Sequence, residues 1–228
     1  MEFITLKNTR LASLLQNLID GFFENPDVQV ALKRVGKYKD TLIPDVYPCS
    51  DEYLNRALTQ DVKEYGYPRS AYGSGMGKTN MDFNWQKFIS TQDKISKIGL
   101  FLGTPVNALT MLYPDQGYIG WHHNGNAPGY NILITYSQDG QGRFKYYNKE
   151  TQKIVVHEDP KGWSVKVGYY PDQRREKDRV YWHCAETTKA RMSLAWVINH
   201  KEMWKNMIYE ITGGDFNPSI FRQHQMNV

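Results

Sequence analysis

The second half of this sequence is divided into short apolar and aromatic runs separated by turn residues, and this rhythm limits the possible folds more than any other feature. Nine such runs follow residue 95: KIGLFLG, ALTMLYP, GYIGWHH, YNILITYS, GRFKYYN, KIVVHE, GWSVKVGYY, RVYWHC and RMSLAWVINH. Short strands at roughly 8–12-residue spacing are typical of a β-sandwich, barrel or jelly roll. With 16 Tyr and 6 Trp, the chain is also rich in the large residues that favour strands. The sequence therefore predicts a substantial β core.

Helical periodicity is found in the first third of the chain and again near its C-terminus. Residues 8–26 carry leucines at helical spacing, with Asn8 or Thr9 as the N-cap and Pro26 beyond the end. Residues 50–66 have Ser50 as N-cap, an apolar face of Leu54, Leu58 and Val62, and Gly66 at the C-terminal cap. A last helix is predicted over 201–211, followed by a tail.

These elements predict an α+β fold with N-terminal helices that buttress a sheet. At 228 residues the chain suits one domain. We divide it into helical and loop support over 1–97, a β core over 98–200, and a C-terminal helix and tail over 201–228.

The region 66–94 is rich in Gly, Tyr, Ser and Asn, and it includes YGSGMGKTN at 72–80. A phosphate-binding loop requires glycine at 72, where the chain has Tyr72, and it requires a strand before it and an apolar helix after it. The segment is therefore predicted to be a surface loop, placed as a lid over a site.

Composition limits the surroundings and partners of the protein. No apolar run approaches the ~20 residues of a membrane-spanning helix, so we expect a soluble, cytoplasmic protein with no membrane partner. Two cysteines are too few for a disulfide framework or an all-cysteine metal site. The formal net charge is +4, but acids interrupt the basic residues, as in PDQRREKDR, so charge supports a nucleic-acid partner only weakly.

The stretch GWHHNGNAPGYNI, residues 120–132, contains the candidate chemistry. Side chains alternate along a strand, so His122 and Asn124 are predicted to face one side and His123 the other. A second β run contributes His183 and, after a short turn, Arg191. If a jelly roll brings His122 and His183 together with residue 124, the three side chains form a facial triad, the arrangement of metal ligands used by non-haem iron enzymes. Arg191 would then pair with the far carboxylate of a dicarboxylate, with Ser193 on the same face.

In order and spacing, the set Tyr113, His122-His123-Asn124, His183 and Arg191-Met192-Ser193 resembles the Fe(II)- and 2-oxoglutarate-dependent oxygenases, which have a double-stranded β-helix (jelly-roll) core. The resemblance covers roughly residues 98–200. Within the family, the chain resembles the alkylated-base demethylases and the prolyl-hydroxylase-like members. It implies that Fe(II) is held by His122, Asn124 and His183. It also implies that 2-oxoglutarate is contacted by Tyr113, Asn131, Arg191 and Ser193, and that a C–H bond of a nucleobase or protein side chain is hydroxylated with O₂.

The sequence departs from the family pattern at the third metal ligand, where asparagine replaces the usual aspartate. An amide oxygen is neutral, so weaker iron binding is expected. The step from His183 to Arg191 is also a residue or two shorter than usual.

Four alternatives follow from these departures. In the first three, the chain is a catalytically disarmed binding module, a halogenase-like variant that uses His123 in an H-x-G pattern, or a cupin-like metalloprotein that needs no 2-oxoglutarate. In the fourth, Asn124 deamidates to aspartate, because the glycine that follows leaves its backbone nitrogen free to attack the side-chain amide.

Overall fold

The structure is a computed structural model that describes residues 1–38, 43, 45–59, 66–75, 89–105 and 107–215. Its helices and strands, in chain order, are β1 (Glu2–Ile4), α1 (Thr9–Ile19), α2 (Pro26–Arg34), β2 (Lys37–Tyr38), α3 (Asp51–Thr59), β3 (Ala71–Tyr72), β4 (Ser74–Gly75), α4 (Ile89–Phe101), β5 (Asn107–Tyr113), β6 (Tyr118–His122), β7 (Gly129–Ser137), β8 (Arg143–Asn148), β9 (Lys153–Glu158), β10 (Gly162–Tyr170), β11 (His183–Glu186), β12 (Arg191–Ile198) and α5 (Lys201–Ile211).

The strands form two antiparallel sheets. The first has the order β1-β10-β7-β12-β5-β4 and the second has the order β2-β3-β6-β11-β8-β9. From β5 to β12 the chain passes repeatedly from one sheet to the other, so that most neighbours in each sheet are distant in sequence, and only β8 and β9 of these strands form a hairpin. This crossing pattern is a double-stranded β-helix, and it confirms the predicted fold class.

Helices α1 and α4 cover the outer face of the first sheet, which confirms the predicted support for α1. The other predicted N-terminal helix, α3, instead packs against Tyr118 and Trp121 of the second sheet. Leu11 and Leu15 of α1, with Ile98 of α4, are fully buried against Ile132 and Leu194 of the first sheet. Asn8 caps α1, since its side chain accepts a hydrogen bond from the Leu11 backbone N–H at 2.9 Å. The alternation of side chains along each strand then leaves the opposite face of this sheet to line the interior of the jelly roll.

Two of the predicted strands are wrong in whole or in part. The run KIGLFLG forms the end of α4 and the turn after it, because Ile95, Ile98 and Leu102 recur at helical spacing and are buried in the helical layer. The first strand of the core therefore begins at Asn107 rather than near residue 98. The run RVYWHC becomes a strand only at His183, after a short 3₁₀ turn at Lys177–Arg179.

The N-terminal region also differs in detail from the prediction. Pro26 does not simply follow a helix but opens α2, where its missing N–H costs nothing at the first helical position. Strand β1 was not predicted, and Leu58 of α3 is exposed rather than buried. The helix end expected at 60–65 and the central part of the expected lid, 76–88, lie outside the described residues.

None of the helices that the structure describes is both long and apolar enough to cross a membrane.

Gly99 of α4 provides a test of the helical layer. A Cβ at this position would lie 2.9 Å from the Thr104 carbonyl oxygen and 3.0 Å from Trp196 Nε1. In an open helix, Gly→Ala is stabilising by about 1 kcal/mol, but here we expect Gly99→Ala to destabilise the protein by about 1–3 kcal/mol through overpacking. Urea denaturation measures this difference. Gly36→Ala, where a Cβ meets nothing within 4 Å, is the matched control, and equal effects of both substitutions would contradict the packing described here.

Candidate functional site

A cavity of about 250 Å³ lies between the two sheets. It is lined by side chains from the inner faces of β5, β7 and β12 on one side and of β6 and β11 on the other. All seven residues singled out from the sequence line it: Tyr113, His122, Asn124, Asn131, His183, Arg191 and Ser193. The jelly roll therefore brings together residues that are up to eighty positions apart in the chain.

His122 and His183 form a direct pair across β6 and β11. They are register partners, and their ring centroids are 4.2 Å apart. The His122 Nδ1 atom lies 2.8 Å from the Gly120 carbonyl oxygen, and His183 Nδ1 lies 3.0 Å from that of Tyr181. A carbonyl can only accept, so each Nδ1 carries the proton and each Nε2 is unprotonated and carries a lone pair. This tautomer is the one in which a histidine binds a metal through Nε2.

Burial keeps both rings neutral. It lowers the pKa of His122 to about 4. Burial, together with the neighbouring His122, holds the pKa of His183 well below its ordinary value. Neutral imidazole is the form that coordinates metals.

Asn124 lies beside His183, in a tight turn that follows β6. Its φ is +52°, a left-handed conformation that asparagine tolerates better than most residues. Its backbone N–H donates to the Gly66 carbonyl and its carbonyl accepts from the Ala127 N–H, which fixes the turn. The side-chain Nδ2 lies 3.4 Å from His183 Nε2, and rotation of the amide presents Oδ1 at the same place. Within the described ranges, no group of three His, Cys, Asp or Glu side chains could hold a metal ion, and the side chain beside the two histidines is this neutral amide.

His123 directly follows β6, and its side chain points away from the cavity that His122 lines, as predicted. Its ring packs edge-on against Trp182 at 5.1 Å, and its Nδ1 accepts from the Gly125 backbone N–H. It does not line the cavity. The halogenase-like alternative, which required His123 as a ligand, is therefore not supported by the geometry. The same hydrogen bond engages the Gly125 nitrogen that deamidation of Asn124 would use, and deamidation itself stays a prediction.

Arg191 closes the deep end of the cavity. Its side chain is almost completely buried, with Nε donating to Asp159 Oδ2 at 2.9 Å and Nη1 donating to Ser193 Oγ at 2.8 Å. The remaining nitrogen, Nη2, is buried and has no hydrogen-bond partner. The guanidinium lies 5.2 Å from the centre of the Tyr113 ring. An orphaned, charged donor at this depth is costly unless a ligand accepts from it.

Asp159 and Lys166 were missed from the sequence. Asp159 follows β9, and its carboxylate accepts from both Arg191 and Lys166, all within the protein interior. Burial alone raises the pKa of Asp159, but the two cations outweigh it and hold the pKa below its ordinary value. Burial lowers the pKa of Lys166 to about 8, against the opposing effect of Asp159. A lysine inside the apolar run GWSVKVGYY was the available signal, since an unpaired lysine is almost never buried.

The ring of His183 is held between aromatic side chains that the sequence did not single out. Tyr170 stacks on it at a centroid distance of 4.8 Å, and Phe144 stacks at 5.5 Å. The register of β11 also shifts between His183 and Ala185. Bulges of this kind commonly redirect side chains next to functional sites. Stacking and the hydrogen bond to Tyr181 together fix the orientation of His183.

Comparison with known proteins found no matching family model and no matching curated protein. Among solved structures, a prolyl-4-hydroxylase of Pseudomonas putida is 14% identical, covering 65% of this chain and 83% of its own, with a TM-score of 0.30. A protein of the 2OG-Fe(II) oxygenase family from Burkholderia pseudomallei is 14% identical over 76% of this chain and 91% of its own, with a TM-score of 0.34. A full-length Neurospora crassa protein in complex with alpha-KG is 12% identical over 86% and 73%, with a TM-score of 0.33. Identities of 12–14% concern the fold alone.

Proposed function

We propose that this protein is an Fe(II)- and 2-oxoglutarate-dependent oxygenase that hydroxylates a C–H bond. The observation that carries the proposal is the pairing of two distinct features in one cavity. At one place, two histidines present unprotonated Nε2 atoms beside an amide. At the deep end, a buried guanidinium keeps one donor without a partner.

The residues fit both groups. Two imidazoles and one oxygen donor on one side of a metal make a facial set that leaves other positions open, as in non-haem Fe(II) oxygenases. The unpartnered Nη2 of Arg191 and the hydroxyl of Ser193 fit a carboxylate, which accepts charge-assisted hydrogen bonds. For a molecule with a carboxylate at one end and a chelating group at the other, this one cavity offers a partner for each end.

In this mechanism, His122, Asn124 and His183 hold the metal, and Arg191 with Ser193 and Tyr113 hold the far carboxylate of 2-oxoglutarate. When bound, Fe(II) and 2-oxoglutarate supply the oxidising chemistry, with O₂ consumed and succinate and carbon dioxide released. Burial raises the pKa of Tyr113, so its hydroxyl stays protonated and remains a hydrogen-bond donor. The aromatic rings around His183 keep water from this side of the site.

A second candidate is a disarmed binding module that keeps the fold without catalysis. The observation in its favour is the amide at position 124, which contributes no negative charge to the metal site. Both candidates predict a folded cavity with Arg191 at its end, and they differ in whether the native chain binds iron in a competent form.

The substitution Asn124→Asp separates the two candidates. An added negative charge within about 4 Å of a divalent cation is worth several kcal/mol even when partly screened, so we expect Fe(II) to bind at least about tenfold more tightly. Aspartate is nearly isosteric with asparagine and also tolerates a positive φ. The measurement is anaerobic titration of metal-free protein with Fe(II) and 2-oxoglutarate, followed by the visible charge-transfer band of chelated 2-oxoglutarate.

If the native protein gives the band and forms succinate with O₂, the oxygenase is supported. If only Asn124→Asp gives the band, the native chain is the binding module. A cupin-like metalloprotein would instead bind metal and show no response to 2-oxoglutarate in either form. Because deamidated protein would imitate the variant, peptide mass spectrometry must first show intact asparagine at 124, and Asn126→Asp in the same turn is the matched control.

A further inference from the structure

The cavity is divided into a polar and an apolar part along β12. Alternate residues of this strand face the cavity: Arg191 and Ser193 at the deep end, then Ala195 and Val197 beyond them. The neighbouring strands follow this division except at Met111, which pairs with Ser193, and at Asn131, which pairs with Val197. Tyr113 pairs with Arg191, whereas Leu109 and Leu133 both pair with Ala195. Along β12 away from Arg191, the lining of the cavity is therefore mainly aliphatic, and we call this part the aliphatic chamber.

From this chamber we infer that the reacting group of the substrate is an uncharged aliphatic one, such as the side chain of leucine or valine. The inference rests on the proposed function and names the substrate class for the same site. Leu109, Leu133, Ala195 and Val197 would determine the specificity.

The charge of the cavity lining favours an uncharged substrate group. Of the described residues that line the cavity, Arg191 alone carries a formal charge at neutral pH, and Asp159 and Ser193 already hold two of its three nitrogens. The described lining offers no carboxylate to a cationic substrate and no second cation to an anionic one. A charged group entering here would lose its hydration without gaining a partner, which is strongly unfavourable.

The aromatic side chains of the described lining disfavour a nucleobase as substrate. Enzymes that act on bases hold the extruded base by stacking on aromatic side chains and by hydrogen bonds to its edge. The aromatic rings of the described lining are already engaged, since Phe144 and Tyr170 stack on His183 and Tyr113 lies beside Arg191. The apolar end is lined by aliphatic side chains, which fit aliphatic groups.

Asn131 contributes one polar group to the apolar end. It pairs with Val197 in the sheet, six residues along β12 from Arg191. Its Nδ2 donates to the Gly129 carbonyl, which orients Oδ1 as an acceptor. This position suits a single N–H of a substrate, such as an amide next to an aliphatic side chain, better than it suits the far carboxylate of 2-oxoglutarate.

The test uses four probes: N-acetyl-leucine methylamide, its lysine and aspartate counterparts, and 1-methyladenosine. Each is titrated anaerobically into protein loaded with Fe(II) and 2-oxoglutarate, and the shift of the charge-transfer band is followed. In parallel, the thermal unfolding midpoint of metal-free protein is measured with each probe, because any ligand that binds the folded state raises it. We expect the leucine probe to act at a concentration at least about tenfold lower than the other three.

Substitutions in the aliphatic chamber test whether it causes the preference for the leucine probe. Val197→Asp places a carboxylate in the half-buried rim of the chamber, and we expect it to reverse the preference from the leucine probe to the lysine probe. Leu109→Asp on the facing strand is the second variant, in case the first does not fold. Leu100→Asp is the matched control, since Leu100 is 74% exposed on α4 and lies outside the cavity.

The outcomes separate the two proposals. If no band forms in the native protein or in Asn124→Asp, the proposed function fails, and the thermal measurement still tests the chamber. If the lysine, aspartate or base probe acts as strongly as the leucine probe, or if the leucine probe has no effect in either measurement, the aliphatic substrate class is overturned. A preference for the leucine probe that Val197→Asp and Leu109→Asp leave unchanged would also overturn it.

Discussion

Replacing Arg191 with alanine is expected to weaken the binding of 2-oxoglutarate by at least about 100-fold. Truncating one partner of a buried, charge-assisted contact typically costs 2–5 kcal/mol, and about 2.7 kcal/mol corresponds to that factor. The folded state should survive, because Asp159 keeps its second partner, Lys166. Anaerobic titration of the charge-transfer band, with far-ultraviolet circular dichroism as a check on folding, measures the effect.

Two further variants complete this test. Arg191→Lys keeps the charge but loses the planar fork of donors, so it should fall between the native protein and Arg191→Ala. Arg143→Ala is the matched control, since Arg143 is half exposed on β8 and pairs with Glu158 outside the cavity. Unchanged affinity for 2-oxoglutarate in a folded Arg191→Ala protein would contradict the proposed role.

Replacing Asp159 with alanine should produce the largest loss of stability. The substitution leaves Lys166 and Arg191 as neighbouring cations in the interior without their shared carboxylate. Removing one partner of a buried ion pair costs about 3–5 kcal/mol, because the remaining charge is uncompensated. Urea denaturation at pH 7 measures the loss, and Asp159→Asn, which keeps an acceptor oxygen, should lose less.

The exposed pair of Lys7 and Asp215 provides the control for this experiment. Both side chains face solvent, and surface ion pairs contribute little to stability. Asp215→Ala should therefore leave the unfolding midpoint unchanged. Equal effects of Asp159→Ala and Asp215→Ala would show that the buried network has no energetic role.

The same network gives stability a defined dependence on pH. The pKa of Asp159 is lower in the folded protein than in the unfolded chain. The contribution of Asp159 to the free energy of unfolding is therefore fully present above its pKa in the unfolded chain, about 4. This contribution is lost as the pH falls through its pKa in the folded protein. The difference in unfolding free energy between the native protein and Asp159→Asn should shrink on acidification below about pH 4, and a constant difference would contradict this assignment.

The sequence predicted the strand-rich core because a strand needs only a local pattern of large, alternating residues. It failed at KIGLFLG for the same reason, since a short apolar run suits a buried helix as well as a strand. Length and context decide between them, and α4 begins at Ile89, before the region in which strands were expected. Helix α2 was missed because Pro26 was interpreted as the end of one helix rather than the first residue of another.

What the sequence determined by itself was the rhythm of strands, the cap at Asn8, and the spacing of Tyr113, His122, His183 and Arg191. All of these are local properties of the chain, or properties of the order and spacing of its residues. Only the tertiary structure decided which side chains meet. It placed Asp159 and Lys166 beside Arg191, fixed the histidine tautomers through the Gly120 and Tyr181 carbonyls, and separated the polar end of the cavity from its aliphatic end. The physical reason is that burial, pairing and hydrogen-bond partners depend on neighbours that are distant in sequence, and a periodic pattern carries no information about them.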